Sequence, residues 1–137
     1  MREILFRGKR TDNGEWVEGY FVAVNSKCYI GQEVTENTKS VSCLNGTWYG
    51  FDNFYEVIPE TVGEYTGLTD RNNKKIFEGD IVKDNLSVIY EIIYDEANFQ
   101  KKDIDLDYGY VLERSTDLIV IGNIHDNSEI LKGGAEE

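Results

Sequence analysis

YTGLTDRNNKKIFEGDIVKDN, residues Tyr65 to Asn85, and LIVIGNIHDNSEIL, residues Leu118 to Leu131, decide the fold. In the first, apolar residues come in short runs broken by Gly67, Asp70-Arg71-Asn72-Asn73 and Gly79. Gly79 sits between Lys75-Ile76-Phe77 and Asp80-Ile81-Val82, a spacing that suits a chain bending sharply from one strand into the next. Asp70-Arg71-Asn72-Asn73 reads as a turn. In the second, Leu118–Ile124 is a continuous apolar run of strand length and is expected in the core. Asp126-Asn127-Ser128 then supplies a helix start, followed by one or two turns of helix through Leu131.

Working outward, the dominant period is two. Trp16, Glu18, Tyr20, Val22 and Val24 share one face and Val17, Gly19, Phe21 and Ala23 the other, a strand expected between two layers. Asp12-Asn13-Gly14 joins it to Ile4–Arg10 as a first hairpin. Asn45-Gly46 joins Lys39–Leu44 to Thr47–Phe51 as a second. Leu86–Tyr94 reads as a central strand, and Phe99–Leu112 as one strand with Ile104, Leu106, Tyr108 and Tyr110 opposite Asp103, Asp105 and Asp107. Asn25–Asn37 and Asp95–Lys102 read as loops. The fold class is therefore mainly β: two small, strongly bent antiparallel sheets or a barrel-like sandwich, its second half SH3-like, with a short C-terminal helix. A length of 137 residues fits one domain. The lone proline, Pro59, and a change in charge mark a boundary between subdomains 1–60 and 61–132, and 133–137 is a tail expected to be disordered.

Together with MREILFRGKRTDNGEWVEGY at residues 1–20, the two defining stretches resemble the YopX family, small proteins of bacteriophages and prophages. The positions carrying the resemblance are Tyr65, Gly67, Leu68, Asp70, Gly79, Asp80, Gly122 and Asn123, all read as packing and turn residues. Family members often place Asn-Gly where this chain has Asn72-Asn73, proline at Ser128, and an aromatic residue at His125. The resemblance implies a phage accessory protein and brings no established activity.

The net charge is −12, with −3 in residues 1–60 and −9 in 61–137. A nucleic-acid binder needs a basic face to displace phosphate counterions, and Arg2, Arg7, Lys9 and Arg10 offer only a short patch, read as a solvated strand end. Two cysteines (Cys28 and Cys43) and one histidine are too few for a structural zinc site, and no cofactor is expected. No apolar stretch reaches the ~20 residues of a membrane span, so the chain is expected to be soluble and cytoplasmic.

Three constellations invite chemistry. The run at Asp103, Asp105 and Asp107 lacks a calcium loop's glycine and terminal glutamate, since Tyr108 and Arg114 occupy those places. Its alternation is expected on the wet face of an edge strand. Glu78 and Asp80 flank a turn glycine, where a carboxylate bonding backbone N–H groups explains them. His125 has only Ser128 or Cys28 as nucleophile partners, neither marked as activated. No catalytic residue is assigned, and the protein is read as no enzyme. The aromatic group Trp48, Tyr49, Phe51, Phe54 and Tyr55, with Asp103, Asp105 and Asp107, is the candidate interaction surface. The favoured reading is contact with an unknown host or phage protein, or self-assembly into a homo-oligomer. The alternatives are a small nucleic-acid-binding barrel and an acidic mimic of DNA.

Overall fold

A computed structural model describes residues 5–32, 41–43, 46–48 and 54–133, with 41–43 and 46–48 described through their backbone. The chain is mainly β, and it divides into two compact units that meet in sequence between Glu64 and Tyr65. Among the described residues no helix is long and apolar enough to cross a membrane.

The first unit opens on β1 (Phe6–Lys9) and β2 (Trp16–Val24), paired from Phe6↔Gly19 to Lys9↔Trp16. Their connection is a longer loop than a two-residue hairpin turn. Only Gly14 takes positive φ (74°), donating its N–H to Arg10 O, while Asn13 Oδ1 accepts the Glu15 N–H. The expected loop Asn25–Asn37 is corrected over its described part: Lys27–Gly31 is strand β3, paired with β2 from Val24↔Lys27 to Tyr20↔Gly31, and residues 33–37 lie outside the described residues. Asn25 and Ser26 both have positive φ (51° and 71°), the geometry of a type I′ turn built without glycine. Next come the hairpin β4 (Val41–Cys43) with β5 (Gly46–Trp48), and then β6 (Phe54–Val57), which pairs with β3. The sheet curls until Arg10 bridges Val57, Thr11 donates to Glu56 O and Ile58 to Lys9 O, which covers the outer edge of β6. Gly8 permits this approach, since a Cβ there would lie 2.9 Å from the Val57 Cβ. Ile30 and Val57 are fully buried, but Tyr20 and Phe21 are exposed, so β2 is not enclosed between two layers along its length.

A 3₁₀ turn at Pro59–Thr61 leads into β7 (Gly63–Thr69), whose first residues pair with β1. In the second unit, β7 continues and pairs with β8 (Lys75–Phe77). A five-stranded antiparallel sheet follows, from β9 (Asp80–Lys83), β10 (Ile89–Asp95), β11 (Asn98–Asp103), β12 (Tyr108–Val111) and β13 (Ile119–Asn123), before α1 (Ser128–Gly133). The order is β12-β11-β10-β9-β13, open rather than a closed barrel, with β10 central. Ile76, Val82, Tyr90, Ile92, Leu112 and Leu118 form its buried core. Each such side chain contributes about 1.5–3 kcal/mol. Gly79, at φ 94°, makes the bend between β8 and β9, and its N–H and C=O bond Ile92 O and Ile124 N–H.

Three expectations are corrected in this unit. Asp95–Lys102 is no loop: β10 and β11 form a hairpin through Glu96 and Ala97, both at positive φ (52° and 68°). Phe99–Leu112 is not one strand but two, broken by a turn at residues 104–107. The apolar run at Leu118–Ile124 does form a strand, but β13 lies at the sheet edge and is half-buried, with a bulge between Val120 and Gly122.

Candidate functional site

The five-stranded sheet has two edges, and the chain treats them differently. At β13 the outward Val120 N–H is taken by Asp70 Oδ2 (2.9 Å), Leu118 O accepts the Arg71 N–H (2.8 Å), and Asn127 Oδ1 accepts the Asn123 N–H (3.2 Å). At β12, no described strand or turn covers the outer side. Leu112 donates its N–H to Phe99 O, so alternation turns the peptide groups of Tyr108 and Tyr110 toward β11 and those of Gly109 and Val111 outward.

The turn before β12 is what sets this edge. Asp103 is buried and its Oδ1 accepts the N–H groups of Asp105 (2.9 Å) and Leu106 (3.2 Å). Asp107 adopts φ 54° and forms an ion pair with Lys102 at 2.9 Å, which raises the Lys102 pKa. The chain then runs back as Tyr108-Gly109-Tyr110-Val111, four residues without a charge. Tyr108 is 60% exposed, Val111 52% and Leu106, in the turn, 66%. An uncharged edge offers its backbone for pairing with another chain; natural sheets blunt such edges with charge, proline, a cover or shortness, and at β12, four residues long, only the last is present among the described residues.

Pairings Tyr90↔Asp103↔Tyr108 and Ile92↔Lys101↔Tyr110 put these residues on one face, which passes from core to surface toward β12. Tyr110 meets Tyr90 edge-to-face at 6.4 Å and Tyr108 at 5.0 Å between ring centroids. The Lys101 Nζ lies 4.8 Å from the Tyr90 ring centroid. Tyr90 donates to Asp84 Oδ2 (3.2 Å), and its pKa is pushed up to about 12, by burial first and then by the Asp84 charge. The phenol thus stays protonated at neutral pH as a donor, not a nucleophile. Burial alone would raise the Asp84 pKa, but the N–H groups of Val88 and Leu86, then Tyr90 and Lys101, lower it. At the Val111 end of the strand, Thr66, Tyr94, Asn98, Phe99, Val111 and Leu112 line an open cleft of about 290 Å³.

The residues singled out from sequence fall elsewhere or play other parts. Trp48 is described by its backbone only, and Tyr49 and Phe51 lie outside the described residues. Phe54 and Tyr55 are half-buried: Phe54 stacks on Tyr29 at 5.6 Å, and the Arg10 guanidinium lies 4.3 Å from the Tyr55 ring centroid. Asp103, Asp105 and Asp107 do not form a wet strand face, because Asp103 turns inward to hold the turn. Arg2 lies outside the described residues, and Arg7 is buried over Trp16 at 4.6 Å, so Arg7 does not belong to a solvated strand end. Arg10 also pairs with Asp12 at 2.7 Å.

Asp80 is buried and its Oδ2 accepts the Phe77 N–H at 2.7 Å, fixing the bend at Gly79. Asp70 binds three backbone N–H groups, Tyr65 packs on Phe77 at 5.6 Å, and Gly122 passes close to Asn127. Leu68 packs against the core, Gly67 takes φ 92°, and Asn123 Oδ1 accepts from the N–H groups of His125 and Asp126. His125 therefore sits in a side-chain-stabilised turn ahead of α1. Among the described residues no set of three His, Cys, Asp or Glu is placed to hold a metal ion. What the sequence reading missed is the edge itself. Its signal was the uncharged Tyr-Gly-Tyr-Val-Leu between Asp107 and Glu113.

Residues 5–132 match the family model described as YopX protein. No curated protein matches the chain. Among solved structures it is similar to one described as protein EF1440 from Enterococcus faecalis, at 20% identity and a TM-score of 0.59. The likeness covers 96% of this chain and 99% of that one, and at this identity it shows the fold alone.

Proposed function

The chain belongs to the YopX family, and from that premise we propose that it is a phage or prophage accessory protein that works inside the host cell by binding another protein, without catalysing a reaction. The observation that carries this is the β12 edge: an uncharged strand with outward backbone groups and exposed Tyr108 and Val111, beside a β13 edge that the chain has covered. Binding nucleic acid is less well supported. Arg7 and Arg10 stack on the chain's own Trp16 and Tyr55, and the net charge is −12. Mimicry of DNA needs a contiguous carboxylate stripe, and the inward turn of Asp103 interrupts the one the sequence offered.

The test is an affinity pull-down of the tagged chain from host lysate with and without nuclease, run beside a Tyr108→Ser/Val111→Ser variant. A protein retained after nuclease and lost with the variant is the expected result. Capture of nucleic acid alone, or turnover of a substrate that depends on Glu78, Asp80 or His125, would overturn the proposal.

A further inference from the structure

The geometry points to strand addition at β12, with an extended, basic segment of the partner as its occupant. This inference rests on the protein-binding reading and specifies its mode. Gly109 and Val111 present N–H and C=O groups outward with the spacing of an antiparallel ladder, which a partner strand, the sixth of the sheet, would complete on the far side from β11. An incoming strand places alternate side chains on the two faces of the sheet. On one face they meet Tyr108 and Tyr110 and, at the Val111 end, the cleft over Phe99 and Leu112, all calling for apolar groups.

Charge selects the rest of the occupant. Around β12, Asp105, Glu113 and Asp117 stand against Arg114, while Asp103 is buried in its own turn and Asp107 is paired with Lys102. Of the two lysines of β11, Lys102 is paired with Asp107, while Lys101 lies over the neutral Tyr90 ring and keeps its charge. A segment alternating apolar and Lys or Arg residues matches both the aromatic face and this acidic surround. A second copy of the chain would bring the same acidic surround against itself, within a molecule of charge −12.

The experiment is an amide-resolved NMR titration of the full chain with an octapeptide of alternating Lys and Val, and with its Glu–Val counterpart. Saturable shifts centred on residues 108–113, at least about fivefold stronger for the Lys–Val peptide, are expected. Val111→Pro removes one outward N–H at a position where an edge strand tolerates proline, and should weaken binding roughly 2- to 12-fold, the worth of one backbone hydrogen bond. Val111→Lys keeps that N–H and adds repulsion, so it should weaken the Lys–Val peptide as well and guards against a folding defect in the proline variant. Shifts absent from β12, or equal for both peptides, would overturn the inference. So would sedimentation of the peptide-free chain as a dimer that Val111→Pro dissociates, which would make a second copy the occupant. In the pull-down, a protein partner held by Val111→Pro as strongly as by the wild type refutes strand addition and leaves the protein-binding reading standing; absence of any protein partner refutes that reading.

Discussion

Replacing Asp70 by alanine should cost about 3–4 kcal/mol of stability in the second unit. Asp70 is 5% exposed, and its carboxylate accepts three backbone N–H groups: Asn72 at 2.8 Å and Lys74 at 2.9 Å on Oδ1, and Val120 at 2.9 Å on Oδ2. Hydrogen bonds to a charged acceptor contribute about 1.5–3 kcal/mol each when the donor is left dry by the loss. Asn72 and Lys74 are exposed, so water replaces most of their loss, leaving about 0.5–1 kcal/mol each. Val120 is half-buried in β13 and keeps about 2 kcal/mol. Asp70→Asn makes the sharper test. Its oxygen still serves Asn72 and Lys74, but its NH₂ faces the Val120 N–H, two donors opposed, so about 2 kcal/mol should still be lost.

Both tryptophans, Trp16 and Trp48, precede the second unit, so tyrosine near-ultraviolet dichroism or hydrogen exchange at Val82 and Ile92 is the appropriate probe during urea unfolding. Burial alone would raise the Asp70 pKa, but the N–H groups of Val120, Lys74 and Asn72 together hold it below its ordinary 3.8. A depressed folded value means that its contribution is complete above the unfolded pKa and disappears as pH falls through the folded one. The wild type should therefore lose this increment below about pH 4, and Asp70→Asn should not. A loss under about 1 kcal/mol for Asp70→Ala, or the same acid slope for wild type and Asp70→Asn, would refute the account.

Two further predictions follow from the same sheet. Tyr90, with a folded pKa of about 12 against an ordinary 10.0, contributes stability that is intact below pH 10 and lost as pH rises toward 12; in a phenolate absorbance titration of the nine tyrosines, Tyr90→Phe should remove the latest-ionising step, and its persistence would refute the assignment. Glu96 and Ala97 hold the β10–β11 turn at φ 52° and 68°. A left-handed non-glycine residue costs about 1–2 kcal/mol, so Glu96→Asn with Ala97→Gly should gain about 1 kcal/mol and raise Tm by roughly 3–6 °C, whereas an unchanged or lower Tm would argue against a strained turn.

The parts of the fold that were legible in sequence are those where local chemistry and tertiary need coincide. Asn13-Gly14 and Gly79 announce chain reversals because glycine reaches positive φ without strain. Asn73 announces one because asparagine tolerates the same region, and it is found there at φ 69°. Two of the misses share one cause. Asn25-Ser26 and Glu96-Ala97 make turns of the same hand without glycine, so a search for glycine reads two hairpins as loops. In both, the register and burial of the flanking strands, Ile30 in β3 and Ile92 in β10, override the preference of the turn residues.

The aspartate run shows why the site was harder to read than the fold. Alternation of Asp103, Asp105 and Asp107 with Ile104 and Leu106 is consistent with a strand whose wet face bears charge, which would protect an edge from pairing. In the structure Asp103 points inward and spends its carboxylate on the N–H groups of Asp105 and Leu106, while Asp107 turns to Lys102. The charges thus build the turn that delivers β12 and leave Tyr108–Val111 without any of its own. Asp70 does the opposite at β13, folding a carboxylate over the edge. One residue type therefore covers one edge of this sheet and presents the other. The difference lies in whether the aspartate bonds backbone only within its own turn, as Asp103 does, or also reaches a neighbouring strand, as Asp70 does, and residue spacing alone does not encode that choice.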